Sequence, residues 1–390
     1  MKLFFLFVLL SVHIWAYEQK TKIGVTGIAH SRYADEAAVN ANSTITLKND
    51  YWKTDAGIEF FYSNRYKQRR YLLLNELYIS KDIGDYSVSV GKRVKYWGEL
   101  EGFNITDVYN QKNYLKDPFD KSAKHGAWGG EITRYFDENA IEVGLKIYER
   151  NIKLPTGDTP YAAFSFDYDK ELRLSRKRFT PTYYIKANLL NDTYIDSETS
   201  FVVLHGYDNK RDFVPVSQTT IAQYAYRVNK ALLLLHAMYD DTIFKTELAY
   251  TDVLQEERMS DYTQLGFGLE HTFYAVVGNA DMTLFWEYYR YLYSDEKKVK
   301  NVDISEVYDN DLFLAMRISF NDVKSSELKV GFLEDLKKEE RVVQAKFTAR
   351  IDDGYIIEGE CLYTKSSDSQ TILSRFGDFA RFMFSFYYTF

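Results

Sequence analysis

Little in this chain can cross-link it, break its backbone pairing or ligate a metal. Cys361 is the one cysteine among 390 residues, so an intrachain disulfide and a cysteine zinc cluster are both excluded. Only five prolines occur, which leaves the backbone donors of long extended stretches intact. Beyond the first sixteen residues no apolar run approaches the ~20 residues that a membrane helix needs; any crossing must be made by strands. An excess of basic charge is missing too. The formal charge of −7 argues against a surface that coats polyanions, and nucleic acid is not an expected partner. The histidines after the N-terminal stretch, His30, His125, His205, His236 and His271, are scattered, with neither a Gly-x-Ser-x-Gly elbow nor a His-Glu-x-x-His pair. No dinucleotide or phosphate-cradling fingerprint stands out. No enzyme activity, cofactor or metal is therefore expected, although a barrel lipase or protease can assemble its site from separate strands that spacing does not reveal.

What is abundant is aromatic residues and alternation. The chain holds 34 Tyr and 27 Phe, and its mean hydropathy is −0.38 despite 46% hydrophobic residues, because apolar side chains are interleaved with polar ones. Residues 1–16 combine Lys2, an apolar core from Leu3 to Ile14 and a small residue at Ala16, the pattern of a secretory signal peptide; residues 17–390 then form the mature domain. From Lys20 onward, segments of about ten residues alternate with period two, as tilted membrane strands do. In the last segment Phe382, Phe384, Phe386, Tyr388 and Phe390 share one face, opposite Arg381, Met383, Ser385, Tyr387 and Thr389. The segment 141–147 sets Ile141, Val143, Leu145 and Ile147 against Glu142, Gly144 and Lys146.

The fold class expected is all-β: a single transmembrane antiparallel up-and-down barrel. Nineteen candidate segments can be marked, yet bacterial single-chain barrels have an even number with both termini on the periplasmic side. Loop lengths counted from each end collide between about 190 and 260, where Ala231–Leu235 alternates least. Eighteen strands is the expectation, with sixteen or twenty allowed. Such a barrel has outer-membrane lipids and lipopolysaccharide as its surroundings. Its terminal Phe390 is the expected address for the barrel-assembly machinery, and a monomer or a trimer both stay open.

The most unusual stretch runs from Gly91 to Asn110. Arg93 and Lys95 follow the parity of a lumen-facing wall, and the chain then enters about thirty residues, too long for a simple reversal. If this loop, 96–126, folds inward, Glu99, Glu101 and Asp107 can face Arg93 and Lys95 across the pore and sort solutes by charge. The plainer alternative is that these charges hold the loop to the wall. The second long loop, 150–178, gathers Lys170, Arg173, Arg176, Lys177 and Arg178 beside Asp167, Asp169 and Glu171. It reads as a solvated, mutually neutralised loop or as a basic patch for anionic solutes and lipopolysaccharide phosphates.

The positions Gly91, Arg93, Trp97, Gly98, Glu101, Gly102, Asn104, Thr106, Asp107 and Asn110 resemble the signature of a porin-like outer-membrane family of largely unknown function, distantly akin to alginate-export barrels. Arg150 to Pro155 and Thr159-Pro160-Tyr161 resemble its second loop element. The resemblance covers about seventy residues and implies a large monomeric barrel that transports a solute or lipid-like molecule. Two functions are thus expected: a channel passing small hydrophilic solutes or ions through a charged constriction, or a conduit for a lipid or polymer coupled to periplasmic export. A surface adhesin or structural barrel is a third reading.

Overall fold

The computed structural model describes residues 16–162, 167–169, 171–192, 195–254, 259–298, 307–368 and 371–390. The expected leader, apart from Ala16, and Lys170 of the basic loop lie outside the described residues. Eighteen antiparallel strands make one sheet. They are β1 (Ala16–His30), β2 (Glu36–Lys48), β3 (Lys53–Ser63), β4 (Arg70–Ile83), β5 (Tyr86–Arg93), β6 (Ala127–Phe136), β7 (Asn139–Lys146), β8 (Thr182–Asn191) and β9 (Asp196–Tyr207). The second half continues with β10 (Arg227–Tyr239), β11 (Thr242–Val253), β12 (Tyr262–Val277), β13 (Ala280–Tyr293), β14 (Asn310–Ser319), β15 (Glu327–Asp335), β16 (Glu340–Asp352), β17 (Tyr355–Ser366) and β18 (Phe379–Thr389). Each pairs with its sequence neighbours, and β1 pairs with β18 from Lys22↔Thr389 to His30↔Arg381. The sheet is therefore closed, and no strand edge is left open to pair with another chain.

Alternation sets the two faces. Phe382, Phe384, Phe386, Tyr388 and Phe390 are exposed on the outside, while Arg381 and Ser385 are buried inside. The same division holds in β7, where Ile141 and Val143 are exposed. An apolar outer band with a polar interior is the pattern of a barrel that lipid surrounds. The connections also divide by end. At one end they are long, including 94–126, 147–181, 208–226 and 367–378; at the other they are tight, including 84–85, 137–138 and 240–241. Both termini lie at the tight end, as an even count requires.

The nineteenth candidate, 217–227, is not a wall strand. Thr220–Ala225 pairs antiparallel with Asp212–Pro215 and in parallel with Asp167–Tyr168 and Arg173–Leu174, forming a small sheet in the long loops. Its alternating residues are nearly all buried, with Ile221, Ala222, Gln223 and Ala225 all enclosed, so a two-sided pattern arises here from packing under other loops and not from spanning. Ala231–Leu235, by contrast, belongs to the wall as part of β10. Its weak alternation has a cause: Leu232 and Leu234 face inward and are buried like the residues of a soluble core.

Candidate functional site

What buries Leu232 and Leu234 is the segment between β5 and β6. It begins with backbone that only glycine adopts easily: Gly91 has φ 140°, and a Cβ there would lie 2.2 Å from the Leu77 carbonyl oxygen, so the strand can bend close to its neighbour. Past Arg93 the chain leaves the wall. Trp97, Leu100, Ile105, Val108 and Tyr109 then pack on inward residues of β8–β13, among them Tyr184, Val202, Leu204, Ala249, Tyr262 and Tyr289. The loop thus fills one side of the lumen with an apolar core.

Two wall carboxylates hold its backbone. Glu247 on β11, fully buried, accepts at Oε1 from the amides of Glu99 (2.6 Å) and Leu100 (3.0 Å) and from Asn104 Nδ2 (3.2 Å). At Oε2 it accepts from the amide and hydroxyl of Thr106, both at 2.9 Å. Glu287 on β13 accepts from the amides of Glu101 (2.6 Å) and Gly102 (2.8 Å) and from the Tyr289 hydroxyl (2.5 Å), which in turn accepts from the Phe103 amide at 2.8 Å. A buried carboxylate is tolerated where several donors converge on it, and here the donors are the loop's own amides and side chains, joined at Glu287 by the wall's Tyr289 hydroxyl. Gly98 lets this turn close: a Cβ there would sit 2.3 Å from Asn104 Nδ2.

The five charged residues expected at the pore do not face one another. Arg93 pairs with Glu131, and Lys95 with Glu131 and Glu142; both acids stand on the adjoining wall strands β6 and β7, nearer than any loop carboxylate. Glu99 meets His236 at 3.1 Å, and Asp107 pairs with Lys124 from the same loop. Glu101 lies between Lys329 (3.4 Å) and Lys121 (3.8 Å). The expected pairing of Arg93 and Lys95 with Glu99, Glu101 and Asp107 across the pore is therefore replaced by pairs of Arg93 and Lys95 with the wall carboxylates Glu131 and Glu142, of Glu99 and Glu101 with the wall residues His236 and Lys329, and of Asp107 with Lys124 of the loop. Burial raises the carboxyls of Glu99 and Asp107 above the ordinary range, against the opposing pull of His236 and Lys124, and it depresses the Lys124 ammonium.

The motif positions act on the loop's shape. Asn110 accepts from the Lys95 amide at 2.6 Å and donates to the carbonyls of Arg93 (3.1 Å) and His125 (2.9 Å). The Thr106 hydroxyl lies 3.2 Å from the Trp97 carbonyl, and the Trp97 amide donates to Asp107 at 3.4 Å. Gly102 leaves room for the Tyr289 hydroxyl, 2.9 Å from where its Cβ would be.

Opposite the docked loop lies a cavity of about 480 Å³, bounded by residues 101–102 and 116–122 of the loop and by inward residues of β1–β3 and β13–β18. Its charges form a mixed lattice: Lys22–Glu358 (2.6 Å), Lys346–Glu358 (3.5 Å), Lys116–Glu59 (3.4 Å) and Arg381–Asp117 (2.8 Å). Of the expected pore residues Glu101 lines this cavity.

Glu247, Glu287 and Tyr289 escape sequence reasoning as site residues. Their signal is a lone acid on an inward face that is otherwise largely apolar or aromatic, as in Glu247-Ala249-Val253 and Phe285-Glu287-Tyr289-Tyr291. His205 meets Asn229 and His271 meets Thr242, each at 2.7 Å, whereas the ring nitrogens of His30 and His125 are buried without a hydrogen-bond partner.

No family model matches the chain, and no curated protein matches it by sequence. Solved structures match it in fold. Acinetobacter baumannii OccAB1 aligns with TM-score 0.59 and 9% identity over 97% of each chain. The outer membrane protein OprD from Pseudomonas aeruginosa aligns with TM-score 0.56 and 8% identity over 96% of this chain and 94% of that one. OccD3 (OpdP) of the same organism gives 0.55 and 10%, over 96% and 91%. At these identities the likeness is one of fold.

Proposed function

We propose that this protein is an outer-membrane channel for small hydrophilic solutes or ions, narrowed by the 94–126 loop. The observation that carries this reading is the clamp of Glu247 and Glu287 on the loop backbone. It holds an apolar plug against β8–β13 and leaves a charged cavity of about 480 Å³ along the opposite wall. A fixed loop beside a polar passage excludes large solutes and imposes mixed charge on small ones. The outward aromatic face and the fold shared with the outer membrane protein OprD support the location.

Within the channel, Glu101 with Lys121 and Lys329 is the element we assign to selectivity, because among the five expected pore residues it is the one that lines the open cavity. Arg93, Lys95, Glu99 and Asp107 position the loop and its wall. The stretch from Gly91 to Asn110 that resembles the porin-like family is read as the code for this inward fold. Single-channel recordings in planar bilayers test the proposal. Steady ohmic openings are expected, with Glu101→Gln moving the reversal potential toward anion preference. Electrical silence of folded protein overturns the channel reading.

A further inference from the structure

A second cavity, of about 370 Å³, lies where β5, β6 and β7 end at the long-loop rim, and its lining is strongly basic. Lys92, Arg150, Lys153 and Arg178 converge on it, and none of the four makes an ion pair among the described residues. Lys92 donates to the Leu74 carbonyl, and Arg178 donates to the Tyr148 hydroxyl at 3.3 Å. Glu149 is the one carboxylate in the lining, and it is already bound by Lys146 (3.0 Å) and Arg211. Arg150 Nε is buried with no partner. His125, only 3% exposed, has neither ring nitrogen paired. Burial, reinforced by Arg150, Lys92 and Lys153, pushes its imidazole down to about 3. The ring is therefore neutral at ordinary pH, with one N–H to donate.

Four cations and an orphaned imidazole around one space leave positive potential uncompensated. Guanidinium and ammonium groups in such a cluster match the oxygens of a phosphoryl group. The position of the pocket indicates where that group comes from. Lys92 and Trp128 are register partners on β5 and β6, in line with the outward, exposed Val90 and Ile132. Phe179 is exposed beside Arg178, with its ring 5.4 Å from that of Tyr148. The pocket thus meets the outer face just beyond the apolar band, at the end carrying the long loops, which in such barrels is the extracellular one. Aromatic side chains at that level sit among headgroups.

We propose that this pocket binds the phosphorylated headgroup of an outer-leaflet glycolipid. The proposal rests on the membrane placement above and not on solute passage. It is tested on the whole protein, purified in phosphate-free detergent, by native mass spectrometry against bisphosphorylated lipid A, the same lipid with its phosphates removed, and inorganic pyrophosphate. One lipid A per barrel is expected, with binding roughly ten-fold weaker, or more, for the dephosphorylated lipid, as the loss of charge-assisted hydrogen bonds predicts. The R150Q/K153Q variant, and separately K92Q, should lose affinity for lipid A while K329Q, in the lumen, retains it. Equal binding of the two lipids, or full affinity in both pocket variants, overturns the proposal. Pyrophosphate binding without lipid binding overturns it in favour of a free-anion site. Conductance recorded on the same preparations separates the two readings: silent protein that still binds lipid A counts against the channel alone.

Discussion

The two sides of the lumen are built on opposite principles. From β8 to β13 much of the inward face is apolar and aromatic, and Glu247 and Glu287, set into it, are covered by the loop that docks there. From β14 round through the closure to β3 the inward face carries cations and carboxylates that pair across strands and with the loop's far side. The first side behaves as the core of a soluble protein, in which an unpaired polar group is costly; the second behaves as a wet wall, where exposed pairs contribute little to stability but set the local field. The contrast explains how a loop of some thirty residues can be fixed inside a barrel without closing it. Dry packing and a carboxylate clamp hold it on one side, and a cavity of about 480 Å³ lined by paired charges remains on the other.

Breaking the dry side should have the largest effect. Glu247→Ala strands five donors in a buried setting, at about 1–3 kcal/mol for each one left unsatisfied. The loop is expected to leave the wall, raising single-channel conductance several-fold and exposing residues 94–126 to added protease. Unchanged conductance and protection would show that the apolar contacts alone hold it.

Glu287→Gln is a smaller break. The amide keeps one acceptor oxygen but turns its NH₂ toward the Gly102 amide or the Tyr289 hydroxyl, so a modest rise in conductance with noisier openings is expected. Recordings identical to those of the parent would remove Glu287 from the clamp.

Acid should loosen the rim above the dry side. Asp208, just beyond β9, is fully buried. Burial raises its carboxyl, but Lys230 and Lys210, together with the Tyr262 hydroxyl at 2.6 Å, outweigh this and hold it at about 2. Its folded value is below the unfolded one, so the stability it contributes is present above pH ~4 and lost as pH falls toward ~2, on the order of 2 kcal/mol in all. Thermal unfolding in detergent should show this slope in the parent and lack it in Asp208→Asn; equal slopes would discard the assignment.

On the wet side the effects should be electrical and slight. Lys329→Gln removes one partner of Glu101 and should shift the reversal potential toward cations without altering thermal stability by more than about 1 kcal/mol. A large loss of stability would mean that the wet wall is held like the dry one.

Much of this was legible in the residues. The terminal run from Phe382 to Phe390 states its two faces outright, because period-two alternation needs only neighbours to be read. The loop after Arg93 declares itself by length and by Trp97, Gly98 and Asn110. Pairing is where reading stops. Arg93 and Lys95 are close in sequence to Glu99 and Glu101, yet their partners are Glu131 and Glu142, which strand pairing brings alongside. Thr220–Ala225 is extended like a wall strand, yet it is enclosed on both faces in a small loop sheet, a difference that its own residues do not state.

By itself the sequence determined the all-β architecture, the outward aromatic face and the existence of an unusual loop, since each follows from local periodicity and chain length; the even count came from the parity that barrel closure imposes on nineteen candidate segments. Tertiary structure alone decided which side of the lumen is dry, which carboxylates clamp the loop and which charges remain in the passage. Those depend on residues more than a hundred positions apart, Glu99 with Glu247 and Gly102 with Glu287, and only closure of the barrel sets such distances.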